Sequence, residues 1–339
     1  MGSGTVAQLG EIGLVERIVE ILVDGVDPSH ASGVVVGPGD DAAVLACEGD
    51  VVITTDSQHE GVHFERSWIE AAQLGRRAIA VNASDLGAMG ARPLGFVVAV
   101  AMPGHTPVSW AEDLARGLRD GAKRYSASIV GGDIAAVPGG VAINVSAVGQ
   151  RPRSVITSRS GAAPGQRLYV TGWPGRAAAG RALLGAGGTA PDDDARRCID
   201  AYRDPDPPVA FAMAAAARGL LAAVMDVSDG IGIDLGRMCR ASGVSAELDG
   251  VALLADEVLA AVAVARSLDA ARLVLGGGED YELLCAVATE HVAALHELAA
   301  EHSVTLRDIG TVVDAAREIT VLRDGRREPL QDGGWEHFS

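Results

Sequence analysis

The chain has 339 residues, 48 % of them hydrophobic, and a formal net charge of −17. That length can bury a sizeable core and suggests roughly two domains of ~150 residues each. The acidic balance argues against a nucleic-acid backbone or an anionic membrane surface as partner, because either would be repelled rather than gain counterion-release energy.

Apolar residues at Ile12, Val15, Ile18, Val19 and Leu22 recur at helical spacing and predict a helix over Glu11–Val23, closed by Gly25 and Pro28. Val51–Thr55 and Leu94–Ala101 are short, apolar and β-rich, which predicts core strands, with a helix over Trp68–Ala83 between them. Helical periodicity returns over Val108–Lys123. Ser128–Val130 predicts a strand running into Gly131-Gly132-Asp133, and Val141–Val148 a further one, so acids are expected where strands end. Composition shifts to Arg, Ser, Gly and Pro from Gln150 to Gly165, a linker signal that places two domains at 1–150 and 151–339. Beyond it the pattern predicts strand Arg167–Thr171, helix Ala177–Leu184, an acidic stretch Asp192–Asp194 and helix Val209–Leu221. Ala222–Met225 then leads into Asp226, followed by helix Ile231–Ser242, strand Glu282–Val287, helix His291–His302 and strand Ile309–Val313. Strands and helices alternating in this way predict an α/β (α+β) fold.

Six acidic clusters punctuate these elements: Gly37–Asp41 (GPGDD), Thr54–Asp56 (TTD), Asn82–Asp85 (NASD), Gly131–Asp133 (GGD), Asp226–Gly230 (DVSDG) and Gly276–Asp280 (GGGED). Glycine lets backbone approach a ligand closely, and crowded carboxylates repel unless a hard cation bridges them. A single Asp beside Gly is commonly a turn residue or helix cap; six such clusters together point to metal and phosphate. No G-x-x-x-x-G-K-[ST] is present, and Lys123 is the only lysine among the 28 basic residues, so the P-loop route is closed. No G-x-G-x-x-G follows a strand, which removes the dinucleotide reading. What remains is a scheme in which several Mg²⁺ ions supply the positive charge on a polyphosphate, with Asp41, Thr54, Thr55, Asp56, Asp85, Asp133, Asp226 and Asp229 as hard oxygen ligands.

The four cysteines, Cys47, Cys198, Cys239 and Cys285, are widely spaced with no C-x-x-C pair, which argues against a zinc site or a disulfide framework and for reduced thiols in a cytoplasmic protein. No run approaches the ~18 apolar residues that would span a bilayer, and no secretory segment opens the chain.

The order GDDAAV (Gly39–Val44), TTDSQHEGVHF (Thr54–Phe64), AVNASDLGAMGARP (Ala80–Pro93), IVGGD (Ile129–Asp133), SRSGAAPG (Ser158–Gly165), DVSDG and GGGEDYELL (Gly276–Leu284) resembles the thiamine-monophosphate kinases. That family belongs with aminoimidazole ribonucleotide synthetase, selenophosphate synthetase and a hydrogenase-maturation protein. The resemblance implies the two-domain aminoimidazole ribonucleotide synthetase-like fold. Its N-terminal ATP- and Mg-binding domain has a sheet that pairs across a homodimer, and its C-terminal α/β domain closes over the active site. It implies phosphoryl transfer from ATP to thiamine monophosphate, giving thiamine diphosphate and ADP. The eight oxygen ligands above match magnesium positions, while Gly132, Asp133, Arg159 and Ser228 match contacts to ATP. His63, Glu279 and Trp335 match positions lining the thiamine phosphate, and Asp56, Asp133 and Arg159 are the residues expected to carry the transfer. Several Mg²⁺ ions with ATP as co-substrate are implied, and K⁺ stays open as an additional ion.

Two positions depart from the family pattern. Arg116 stands about where an aromatic contact to adenine would fall, and Pro38 replaces a usual β-branched residue. Two other readings stand beside the kinase: an amide-activating, purine-type enzyme of the same superfamily, and a non-catalytic nucleotide- or metal-binding regulator.

Overall fold

Residues 4–24, 33–38, 42–188, 190, 192–316, 318–323 and 325–330 are described by the structure, a computed structural model. They fall into two units, Met1–Leu86 with Ala91–Arg153, and Gly87–Gly90 with Ser154–Ser339.

The first unit carries α1 (Val6–Leu9), α2 (Glu11–Val23), β1 (Val34–Val36), β2 (Val44–Leu45), β3 (Asp50–His59), α3 (Ala71–Ala88), β4 (Arg92–Met102), α4 (Val108–Arg124), β5 (Ser128–Ala136) and β6 (Ala142–Arg151). Its main sheet has the order β3-β6-β4-β5, with β4 parallel to β5 and the other pairs antiparallel. Alternation decides the faces of β4: Phe96, Val98, Val100 and Met102 are buried, whereas Val97 between them is 38 % exposed. Buried Val108, Ala111, Leu114, Ala115, Leu118 and Ala122 recur at helical spacing along α4 and form its apolar stripe.

Two expectations are corrected here. The TTD and GGD motifs do not cap strands: Thr54–Asp56 lies in the middle of β3, and Gly131–Asp133 lies inside β5, paired with Val97–Ala99. Both are edge strands, where a glycine pair and outward-facing acids interrupt no central ladder.

The second unit carries β7 (Arg167–Thr171), α5 (Arg176–Gly185), α6 (Asp193–Arg203), α7 (Val209–Ala217), β8 (Ala223–Val227), α8 (Ile231–Ser242), β9 (Val244–Asp249), α9 (Gly250–Leu253), α10 (Glu257–Arg266), α11 (Ala270–Gly276), β10 (Glu282–Val287), α12 (Val292–Glu301), β11 (Leu306–Asp314), β12 (Thr320–Arg323) and β13 (Arg326–Pro329). The seven strands run in the order β13-β12-β9-β11-β7-β10-β8, all antiparallel neighbours except β12 and β9. Tyr169, Phe211, Val224, Leu283, Leu295 and Leu298 belong to a buried cluster where α7 and α12 meet this sheet. The Asp192–Asp194 stretch opens a helix: Asp192 Oδ1 accepts from the Ala195 N–H at 2.7 Å, and Asp193 and Asp194 fill the first turn of α6. Asp256 and Asp269 cap α10 and α11 in the same way. Among the described residues no helix is long and apolar enough to cross a membrane.

Candidate active site

In the first unit the TTD and NASD motifs face each other because a strand repeats every two residues and a helix face every three or four. Thr54 and Asp56 share one side of β3, and Asn82 and Asp85 share one side of α3. Thr54 Oγ1 donates to Asp85 Oδ2 at 2.6 Å, and the Asp56 N–H donates to Asn82 Oδ1 at 3.1 Å. Asn82 is held in turn by its own Nδ2 donating to the Ala78 carbonyl at 3.0 Å. Thr55 projects from the other side of β3, its hydroxyl donating to the Val145 carbonyl at 3.0 Å.

Asp133 is exposed on β5, at the opposite edge of the sheet from β3. Three strand spacings separate those edges, about 14 Å. This chain therefore brings Thr54, Asp56 and Asp85 together and leaves Asp133 apart from them. Beside Asp133, Gly132 lies so close to the Val98 carbonyl that no Cβ fits, which accounts for glycine at that point of β5. His63 follows β3 in a turn, where its Nδ1 accepts from the His59 N–H at 3.0 Å.

A cavity of about 710 Å³ lies alongside β5. It is lined mainly by apolar side chains, among them Val15 and Ile18 of α2, Val98 of β4 and Leu114 and Leu118 of α4, with Gly131–Asp133 also in its wall. Arg116 does not take the place of an adenine-stacking aromatic there: it pairs with Glu112 at 3.4 Å and with Asp113 along α4.

In the second unit the DVSDG and GGGED motifs meet where β8 ends and β10 begins, since Glu282 pairs with Val227 and Leu283 with Asp226. Asp226 is buried. The N–H groups of Ser228 and Asp229 both donate to Asp234 Oδ2 at 3.0 Å, and Arg237 Nη1 bridges Asp229 at 2.5 Å and Asp234 at 2.8 Å. Burial pushes the Asp234 carboxyl up to about 6 against the N–H bond from Asp229, with the Asp229 charge raising it and Arg237 lowering it. Asp234 and Arg237 are site-shaping residues that the sequence pattern does not single out; the available signal is an acid four positions after Gly230, in the first turn of α8.

The GGGED turn is tied on both sides. The Glu279 N–H donates to the Ser228 carbonyl at 2.8 Å, and the Tyr281 N–H to the Val227 carbonyl at 2.8 Å. Asp280 accepts from the Gly175 N–H at 2.9 Å and the Ala177 N–H at 3.3 Å. Burial drives the Asp280 carboxyl well above the ordinary carboxylate range, opposed by those two N–H bonds. Burial likewise pushes Glu282 up to about 7, although Thr171 Oγ1 donates to it at 2.5 Å. Arg159 is exposed, and its carbonyl accepts from Ser242 Oγ at 3.2 Å. Asp41 and Trp335 lie outside the described residues.

Among the described residues no three or more His, Cys, Asp or Glu side chains gather around one point. Magnesium does not require that: it keeps several waters and takes one or two carboxylates. The oxygen-only set of Thr54, Asp56 and Asp85 fits such an ion; in the second unit the Asp229 carboxylate is held by Arg237 and Asp226 is buried beside that turn.

Residues 39–150 match the family described as AIR synthase related protein, N-terminal domain, and residues 163–323 its C-terminal domain. The thiamine-monophosphate kinase of Mycobacterium tuberculosis is 37 % identical over 338 residues, covering 99 % of this chain and 94 % of that protein. The chain belongs to the thiamine-monophosphate kinase family. It is a kinase with the two-domain fold of the AIR synthase group. The crystal structure of the thiamine-monophosphate kinase from Stenotrophomonas maltophilia is 31 % identical with a TM-score of 0.78, covering 93 % of this chain and 96 % of that one. A structure of AaThiL complexed with AMPPCP and TMP is 28 % identical with a TM-score of 0.76, covering 98 % of each chain.

Proposed function

We propose that this kinase transfers the γ-phosphoryl group of ATP directly and in line to thiamine monophosphate, releasing ADP and thiamine diphosphate. The observation that carries the reading is the 2.8 Å bond from the Glu279 N–H to the Ser228 carbonyl, which joins the turn expected to touch ATP to the turn expected to touch the thiamine phosphate. The related structure bound to AMPPCP and TMP supports the same pair of ligands.

Each group of residues has a task in this scheme. Thr54, Thr55, Asp56, Asp85 and Asp133, with Asp41, supply magnesium ligands in the first unit, and Asp226 and Asp229 supply them in the second. Bound magnesium would cancel the repulsion between the two anionic phosphates. Asp234 and Arg237 hold the Asp226–Asp229 turn in one conformation, so its oxygens need not reorganise as charge shifts. Gly132, Asp133, Arg159 and Ser228 contact ATP, and the apolar cavity beside Gly131–Asp133 suits its purine. His63, Glu279 and Trp335 line the thiamine end, where a carboxylate favours a cationic ring. The acceptor phosphate has its second pKa at ~6 and is already largely ionised at neutral pH, so no residue is assigned as general base.

The test supplies ATP, Mg²⁺ and thiamine monophosphate, with free thiamine and formylglycinamide ribonucleotide as parallel acceptors. Thiamine diphosphate and ADP are expected in equal amounts from the monophosphate alone. ADP release only with the ribonucleotide would move the chain to the amide-activating reading, and no turnover at all to the regulatory one.

We also propose a homodimer built on the first unit's sheet. Val51 at 55 %, Ile53 at 71 % and Val97 at 38 % exposure leave apolar side chains uncovered on that sheet. The chain alone keeps Asp56 and Asp133 at opposite sheet edges, and pairing with a second copy across this sheet would supply the residues of one edge to the other. Light scattering is expected to give twice the chain mass; a monomer at assay concentration would refute the pairing.

A further inference from the structure

Three residues in and just after the GGGED turn hold the left-handed backbone region: Gly278 at φ 66°, Glu279 at φ 69° and Tyr281 at φ 53°. Glycine enters that region freely, whereas for glutamate and tyrosine it is strained and persists only where the surroundings enforce it. Asp280, between the two strained residues, is fastened by the N–H groups of Gly175 and Ala177, and the N–H groups of Glu279 and Tyr281 are fastened to Ser228 and Val227. The result is that side chains two positions apart meet: Tyr281 Oη donates to Glu279 Oε2 at 2.7 Å. Tyr281 is 6 % exposed, so its ring belongs to the interior, and its hydroxyl ends on the Glu279 carboxylate.

We propose that Tyr281 is a positioning residue for the substrate end of the site: its hydroxyl fixes the carboxylate of Glu279 in the orientation that meets the cationic ring system of the substrate, and the strained turn latched by Asp280 sets up that contact. The proposal rests on the reading of Glu279 as a substrate-lining residue. A bound anion at Glu279 would be repelled, so the ligand portion recognised here is the cationic ring system of the substrate and not its phosphate. Preorganisation of this kind acts on binding of that one ligand, because the carboxylate's rotamer is set before the substrate arrives.

Tyr281→Phe removes the hydroxyl and keeps the buried ring. It is expected to raise KM for thiamine monophosphate roughly tenfold, the effect of losing a hydrogen bond to a charged group. KM for ATP should stay at the wild-type value, and Tm should not fall. Calorimetric titration of thiamine monophosphate should show the same weakening without turnover. A merely structural role would instead move KM for ATP as well, since Ser228 is bonded to the same turn, or would lower Tm. Glu279→Ala separates the two readings. If it weakens thiamine monophosphate while Tyr281→Phe does not, the positioning role is overturned and Glu279 stands; if neither variant weakens it, Glu279 is not at the substrate and both readings fall.

Discussion

Asp56→Asn is expected to leave a folded protein whose magnesium-dependent turnover is down by roughly three orders of magnitude, about 4 kcal/mol of transition-state stabilisation. The size follows from what the substitution changes. The amide has the shape of the carboxylate, and the backbone contacts of the position, the N–H bond to Asn82 Oδ1 and the pairing with Val145, do not involve the side chain. What disappears is a negative charge at the corner where Thr54, Asp56 and Asp85 converge. Magnesium bound by only one or two carboxylates cannot lose one of them and keep its position on the phosphates. Two measurements separate this from damage to the fold. Scanning calorimetry should place Tm within a few degrees of wild type, and the rise in Tm on adding Mg²⁺ with ATP should shrink or vanish in the variant. Near-normal thiamine diphosphate formation would show that the corner is not a metal site.

That corner also shows what a sequence can and cannot disclose. Helix α2, strands β7 and β10 and helix α8 are legible because each is a continuous apolar or amphipathic pattern of the right length between breakers. The acidic motifs are legible as chemistry, but not as places. Their glycines read as strand ends, yet Gly131–Asp133 continues β5, since an edge strand has one unpaired side and tolerates residues that a central strand would not. Helices α6, α10 and α11 are absent from the predicted elements: Asp192–Asp194 stands out only as an acidic stretch, and the three-dimensional structure shows Asp192, Asp256 and Asp269 each accepting an N–H bond as a helix cap. Asp234 is hidden as well. An aspartate in a first helical turn is ordinary, and its two bonds to the Ser228 and Asp229 N–H groups depend on how the turn folds back over α8. Residues expected to touch ligand carry motif signals; residues that shape the loop around them are found through geometry.

Gly117→Ala should destabilise the first unit by about 2–3 kcal/mol, the typical cost of overpacking a core. Helices α3 and α4 cross where Gly75, Gly117 and Gly121 let their backbones approach. A Cβ on Gly117 would stand 2.6 Å from the Ala72 carbonyl carbon and 2.7 Å from its Cα, and one on Gly75 would stand 2.5 Å from the Leu114 carbonyl oxygen. These neighbours are backbone, so no rotamer change relieves the overlap and the helices must part. Parting them loosens the packing of Leu74, Leu114 and Leu118, all buried at this crossing. Against this, alanine gains up to about 1 kcal/mol in helix propensity over glycine, too little to offset the clash. Gly236→Ala in α8 provides the control: its Cβ would meet only the Arg240 side chain at 3.5 Å, so propensity should win and stability should rise slightly. Denaturant titration of the two variants should therefore give opposite signs. A Gly117→Ala protein within about 0.5 kcal/mol of wild type would mean that α3 and α4 separate freely, and α3 could then not hold Asn82 and Asp85 against β3.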